Sequence, residues 1–204
     1  MRTQTVGVTQ ALLDSAKKEF LQYGFEKASL RRISAVSGVS TNSIYTRFQD
    51  KAGLFRAVVK ETADGLLLLY EGSIKEAAAC DDMGTATEAG DEGTRQVLSY
   101  IYEHIEECKL LFCGAAGTEY ASFFDRLAAM EESYYKEMAQ QFSRKGSMVD
   151  DFFIHVVCRN GWQYIYELLL THDKSYEEAV QYMEDVRVFQ YAGWQAVLHY
   201  GRQK

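Results

Sequence analysis

The stretch from Ala28 to Phe48, ASLRRISAVSGVSTNSIYTRF, restricts the fold more than any other part of the chain. Ser29 is a natural helix N-cap, and Leu30, Ile33 and Ser37 follow at one-face helical spacing with Arg31 and Arg32 on the outer side. Gly38 suits the left-handed conformation that ends a helix, after which Val39 turns inward. Ser40 or Thr41 caps a second helix in which Ile44, Tyr45 and Phe48 take inward or lateral positions. Thr41, Asn42, Ser43, Thr46 and Arg47 are left facing outward, and short polar groups with one arginine suit hydrogen bonds to base edges and phosphates. Two short helices around a tight turn present a helix to the DNA major groove, but they equally describe a plain hairpin in a small all-α domain. Pattern alone favours neither.

Charge separates them. The whole chain is acidic, with 22 Lys and Arg against 29 Asp and Glu, which taken alone argues against nucleic acid. Residues 1–60, however, hold ten basic and four acidic residues, a net of +6, leaving twelve basic and 25 acidic residues, a net of −13, in the remainder. A basic head on an acidic body gathers phosphate-binding potential in the same segment that carries the two-helix pattern.

Residues 10–59 resemble the N-terminal DNA-binding domain of the TetR family of bacterial transcriptional regulators. The resemblance lies in Ala11-Leu12-Leu13-Asp14-Ser15-Ala16 with Phe20, Tyr23-Gly24-Phe25, and Ser29-Leu30-Arg31-Arg32-Ile33. It continues through Ser37-Gly38-Val39-Ser40, Ile44-Tyr45-Thr46-Arg47-Phe48 and Lys51-Ala52-Gly53-Leu54. Ser34 and Ser37 stand where the family usually has alanine, and Thr41-Asn42 replaces the usual Lys-Gly at the start of the recognition helix. The resemblance implies base contacts from Thr41 and Asn42, base or backbone contacts from Arg47, and phosphate contacts from Ser29, Tyr45 and Lys51. Arg31 and Ser43 complete the candidate DNA-binding set.

The 204-residue chain contains no proline and few strand-like alternations of β-branched residues, so long helices are permitted almost everywhere and an all-α fold is expected. Hydrophobic residues at 47% suffice for a packed core. No apolar run approaches the ~18 residues of a membrane helix. Asp14, Lys17, Lys18 and Glu19 interrupt any signal-peptide core, so a cytoplasmic location without membrane contact is expected. Four irregularly spaced cysteines fit reduced thiols better than a disulfide framework.

The expected organisation is a three-helix helix-turn-helix domain over residues 1–50 and a larger helical ligand-binding and dimerisation domain over 51–204. Asp50 caps a helix running from Lys51 to about Ala79. Cys80 to Gly93, rich in Gly, Ala, Thr and acids, reads as a mobile loop. Helices follow over about 94–108 and 119–142, with Gly114 to Gly117 between them and Arg144-Lys145-Gly146 as a stop. The last two helices, about 150–170 and 176–200, are apolar on more than one face, and the second opens with the capping box Ser175-Tyr176-Glu177-Glu178. Cover on a second side is either the monomer's own core or another copy, with Gly161 and Gly193 available for close approach. The family resemblance implies the latter, a homodimer through a four-helix bundle.

The resemblance also implies a small effector bound in the body. The aromatic density between residues 100 and 135 places Tyr100, Phe112, Tyr120 and Phe123, with Trp162 from a later helix, as candidate effector contacts, although aromatics at helical spacing are commonly core. The pairs His104 and Cys108, with Cys113 nearby, and His155 and Cys158 each offer two metal ligands, and two ligands are not a site; no metal or other cofactor is expected. No phosphate loop, HExxH, GxSxG or paired catalytic cysteine occurs, so an enzyme is not expected. The reading that results is a homodimeric regulator of transcription that binds double-stranded DNA, most simply a repressor released from a near-palindromic operator by its effector. The alternative is a helical ligand-sensing protein whose head binds a protein partner.

Overall fold

A computed structural model describes residues 2–143, 149–170 and 174–199, and every regular element among them is helical. The helices are α1 (Arg2–Lys27), α2 (Leu30–Ser37), α3 (Thr41–Phe48), α4 (Lys51–Ala78), α5 (Met83–Glu103), α6 (Ile105–Lys109), α7 (Phe123–Phe142), α8 (Asp151–Leu170) and α9 (Tyr176–His199), with a π-helical turn at Leu110–Gly114. The expected stop at Arg144-Lys145-Gly146 lies outside the described residues.

The chain divides into two compact units: residues 1–65 with 104–123, and residues 66–103 with 124–204. The unit holding the helix-turn-helix thus takes in the start of α4 and, from much later in the chain, α6 and the π-helical turn. Its core is built from Leu12, Ala16 and Phe20 of α1, Ile33 of α2, Ile44 of α3 and Leu54, Phe55 and Val59 of α4. Phe20 and Phe25 both meet the Phe55 ring edge-on, at 5.0 and 5.5 Å between centroids. Such pairs add roughly 0.5–1.5 kcal/mol beyond area burial.

In the second unit, Met138 and Ala139 of α7, Ile154 and Cys158 of α8, and Trp194 and Leu198 of α9 form one apolar cluster. Leu98, Leu168 and Ala179 form another. The capping box of α9 is reciprocal: the Glu178 backbone N–H donates to Ser175 Oγ at 3.3 Å and the Ser175 N–H donates to Glu178 Oε2 at 3.0 Å. Asp150 caps α8 by accepting from the N–H groups of Phe152 and Phe153.

Three expectations are corrected. Cys80 to Gly93 is not a loop, because α5 begins at Met83. Asp82 accepts from the N–H groups of Gly84 and Thr85 and so starts the helix. A Cβ at Gly93 would lie 2.4 Å from Ser73 Cβ, so only glycine allows α4 and α5 to approach this closely. The helix expected over 94–108 is broken at His104 (φ −121°, ψ 36°). No glycine or proline marks the break; the residues beyond it are drawn into the first unit by tertiary contacts, with Cys108, Leu110 and Leu111 buried and Lys17 paired to Glu106 and Glu107 at 2.7 and 3.0 Å. Finally, α7 starts at Phe123 rather than Glu119, since residues 118–122 form turns held by the Thr118 hydroxyl, which accepts from the Tyr120 N–H.

Candidate nucleic-acid interface

The local chemistry of α2 and α3 follows the sequence closely. Ser29 caps α2 by accepting from the Arg32 N–H, and Gly38 ends it in the left-handed region (φ 70°). Ser40 rather than Thr41 caps α3, accepting from the Ser43 N–H at 3.2 Å while the two serine hydroxyls bond at 2.9 Å. Ile33 and Ile44 are fully buried beneath the turn and lock the two helices together. The outer face of α3 is therefore fixed by its inner face, with Asn42, Tyr45, Thr46 and Arg47 exposed and Thr41 and Ser43 partly so.

Glu19 of α1, nearly buried, organises the approach of α2, accepting from the Ser29 N–H and from Arg32 Nε, each at 2.8 Å. Burial alone would raise its pKa, but these bonds prevail and hold the carboxyl below its ordinary value. Arg32 also lies 4.3 Å from the Tyr23 ring centroid and donates to the Lys27 carbonyl. It thus serves the fold, and Arg31 beside it is the arginine of α2 that remains outward. A depressed carboxyl stabilises the folded head in full above its unfolded value, near pH 4.5, and that stability is lost as pH falls through the lower folded value. Glu19→Gln is accordingly expected to flatten the acid limb of the head's unfolding curve between pH 5 and 3, followed by circular dichroism; an unchanged acid limb would contradict this.

Lys51 was expected to grip phosphate, and in the structure its ammonium donates to the carbonyls of Glu26 (3.0 Å) and Ala28 (3.2 Å) and sits 4.6 Å from the Phe25 ring centroid. It closes the C-terminal end of α1. An ammonium has three donors, so one remains for an anion. Arg47 reaches across to Thr9 Oγ1 at 2.9 Å, which ties α3 to α1.

The five candidate effector residues are divided between the two units. Phe112, Tyr120 and Phe123 belong to the helix-turn-helix unit, where Phe112 meets Phe123 edge-on and Tyr120 lies near Phe55, whereas Tyr100 and Trp162 belong to the second unit. The second unit contains a cavity of about 170 Å³ whose wall includes Met83, Tyr135, Met138, Met183, Arg187 and Trp194, and none of the five lines it. Arg187 is held there by Asp91 at 3.0 Å. Gly161 is not free for contact between subunits: a Cβ there would lie 3.3 Å from both carboxylate oxygens of Glu131. Among the described residues no three His, Cys, Asp or Glu side chains converge as metal ligands. His155 instead pairs with Glu132 at 2.8 Å, and burial pushes the Cys108 thiol up to about 12. No helix among the described residues is long and apolar enough to cross a membrane.

A capped α2, a left-handed glycine and an exposed polar α3 over a shared isoleucine core define a helix-turn-helix protein. Residues 12–58 match the family model described as "Bacterial regulatory proteins, tetR family". The helix-turn-helix segment is thus similar to the DNA-binding domain of the TetR family. Among relatives, a segment of 53 residues is 38% identical to the HTH-type transcriptional repressor Rv1474c of Mycobacterium tuberculosis, covering 26% of this chain and 28% of the relative. A segment of 88 residues is 30% identical to the repressor AcnR of Corynebacterium glutamicum, covering 39% and 47% of the two chains. The matches therefore span less than half of either relative. The fold extends further: NalD of Pseudomonas aeruginosa, the secondary repressor of the MexAB-OprM multidrug efflux pump, superposes with a TM-score of 0.58 over 90% of this chain and 96% of its own at 15% identity.

Proposed function

We propose that this chain is a DNA-binding transcriptional regulator, a repressor that acts as a homodimer and leaves a near-palindromic operator when a small molecule binds its body. The observation that carries the reading is the outer face of α3, where a buried Ile44 points the polar set of Thr41, Asn42, Tyr45 and Arg47 outward from a basic head. The resemblance to named repressors supports the sign of regulation. Residues 1–50 serve as the DNA-binding part and 51–204 as the effector-binding and dimerisation part.

In this reading Thr41 and Asn42 read bases, Arg47 reaches bases or backbone, and Ser29, Arg31, Ser43, Tyr45 and Lys51 hold phosphates. Dimerisation uses α8 and α9, which leave Phe152, Phe153, Val156, Val188 and Phe189 exposed in the single chain. Two heads then reach successive major grooves ~34–36 Å apart or a multiple of that distance.

Genomic selection of bound DNA fragments by the purified protein, followed by titration of the selected duplex at several salt concentrations, tests the reading directly. Affinity should fall steeply with salt as counterions are released. Asn42→Ala is expected to cost about 1–3 kcal/mol and to relax preference at one base pair. Arg31→Ala and Lys51→Ala are expected to weaken all sequences alike and to reduce the salt slope by about 1 each. Failure to select any duplex, with a protein captured by the head instead, would favour the partner-binding alternative.

A further inference from the structure

Glu131 of α7 is a polar residue of the second unit that the helix-turn-helix reading leaves without a role. It occupies an apolar stripe, one turn after Leu127, one before Tyr135 and two before Met138, of which Leu127 and Met138 are buried. The Tyr70 hydroxyl on α4 donates to its carboxylate, and Gly161 on α8 leaves the room that the carboxylate fills. The Tyr70 ring meets Trp162 edge-on at 4.9 Å, and Tyr135 stacks on Trp194 at 4.6 Å. Tyr70 and Tyr135 thus face the carboxyl, with Trp162 packed against Tyr70.

Among the described residues the titratable groups that face it are Tyr70 from α4, Tyr135 from α7 and Cys158 from α8, and none of these is a cation. The neighbouring Glu132 is the carboxylate that Lys136 and His155 pair with. Burial pushes the Glu131 carboxyl up to about 8, against the opposing Tyr70 bond. Burial likewise raises Tyr70, Tyr135 and Cys158, so Glu131 alone among these groups titrates near neutrality. Glu131 keeps part of its surface accessible and does not itself line a cavity. Tyr135 and Trp194 line the cavity of about 170 Å³ described above, together with Met83 and Met138.

A buried carboxylate without a counter-ion is costly, and aromatic faces attract cations by their negative quadrupole. We propose that Glu131, with Tyr70, Tyr135 and Trp162, is the recognition site for an organic cation, an amine or quaternary ammonium whose apolar part lies in the adjoining cavity. The site names the chemical class of the effector and rests on the regulator reading for its consequence at DNA.

A fixed cation requires the ionised carboxylate, so its affinity rises with pH through the Glu131 titration. The test uses the full-length protein with benzyltrimethylammonium and its neutral isostere neopentylbenzene, measured by isothermal titration calorimetry at pH 7 and 9. With a carboxyl near 8, the ionised fraction rises roughly tenfold over that interval, and cation affinity is expected to rise about tenfold with it. The isostere should show no such rise. Glu131→Gln, which keeps the size and an acceptor for Tyr70, should abolish the pH dependence and weaken the cation at pH 9 tenfold or more while leaving the isostere unchanged. A cation affinity that is flat with pH in the wild type overturns the proposal without recourse to any variant, as does equal binding of cation and isostere or no cation binding at all. Binding of the selected duplex by the same preparations is measured alongside. Cation failure with intact DNA binding sinks this site alone, whereas loss of DNA binding in the wild type sinks the regulator reading.

Discussion

Gly193→Arg is expected to turn the dimer into monomers and to weaken operator binding by at least ~100-fold, the lower end of what linking two binding modules contributes. The reasoning starts from what the substitution does inside one chain, which is almost nothing. No heavy atom lies within 4 Å of a Cβ built at Gly193, and the residue is an exposed position of α9. Arginine is also the better helix former by roughly 0.8–1 kcal/mol, so the monomer should be no less stable. Any loss must therefore come from between chains. Phe189 lies one turn before Gly193 and is 71% exposed, and Phe152 of α8 is 73% exposed. Large apolar side chains in such a group mark a surface that another molecule covers. A guanidinium placed in that surface would be buried without a partner, the most costly change available there. Sedimentation velocity gives the oligomeric state, and duplex titration gives the affinity. A variant that stays dimeric and binds the operator like wild type would remove α9 from the interface.

The head could be read from its residues because its determinants are local. Caps, a left-handed glycine and a three-to-four-residue spacing act within one or two turns, and Ser29, Gly38, Asp50 and the Ser175–Glu178 box all do what their chemistry suggests. What escaped the sequence depends on partners distant in the chain. Arg31 and Arg32 look alike until Glu19, thirteen residues before Arg32, claims one of them. Lys51 has the chemistry of a phosphate ligand, but the carbonyls it meets at the end of α1 are 23 and 25 residues away. Gly93 resembles a loop residue because the reason for its size, Ser73 on another helix, is invisible locally. The aromatic run from Tyr100 to Phe123 crosses the break at His104, so its members are divided between the two units. Glu131 did leave a signal, an acid at i+4 from Leu127 on an apolar stripe, but helical periodicity alone gives no means of telling such a residue from an ordinary surface glutamate.

One helix offers a paired test of the packing that holds α3 in place. Gly53→Ala is expected to destabilise the protein by about 3 kcal/mol, the upper end of overpacking costs, whereas Gly72→Ala should stabilise it by about 0.5–1 kcal/mol. Both glycines lie in α4, and the substitution is the same. At Gly72 a Cβ would meet nothing within 4 Å, so alanine only removes backbone freedom from the unfolded chain. At Gly53 a Cβ would lie 1.9 Å from the Phe48 carbonyl oxygen. That carbonyl is where it is because Gln49 takes a positive φ of 70° (ψ −51°), so that the Asp50 N–H bonds back to Phe48 O at 2.9 Å in a γ-turn of the rarer, strained form. Asp50 then caps α4 by accepting from the Gly53 N–H at 2.7 Å. The turn is thus closed on both sides and cannot yield without moving Phe48, the last residue of α3. Relief of the clash must shift the end of the recognition helix, so Gly53→Ala should weaken operator binding even where the protein remains folded. Chemical unfolding and duplex titration on both variants check this, and equal stability of the two would show that the turn accommodates a methyl group.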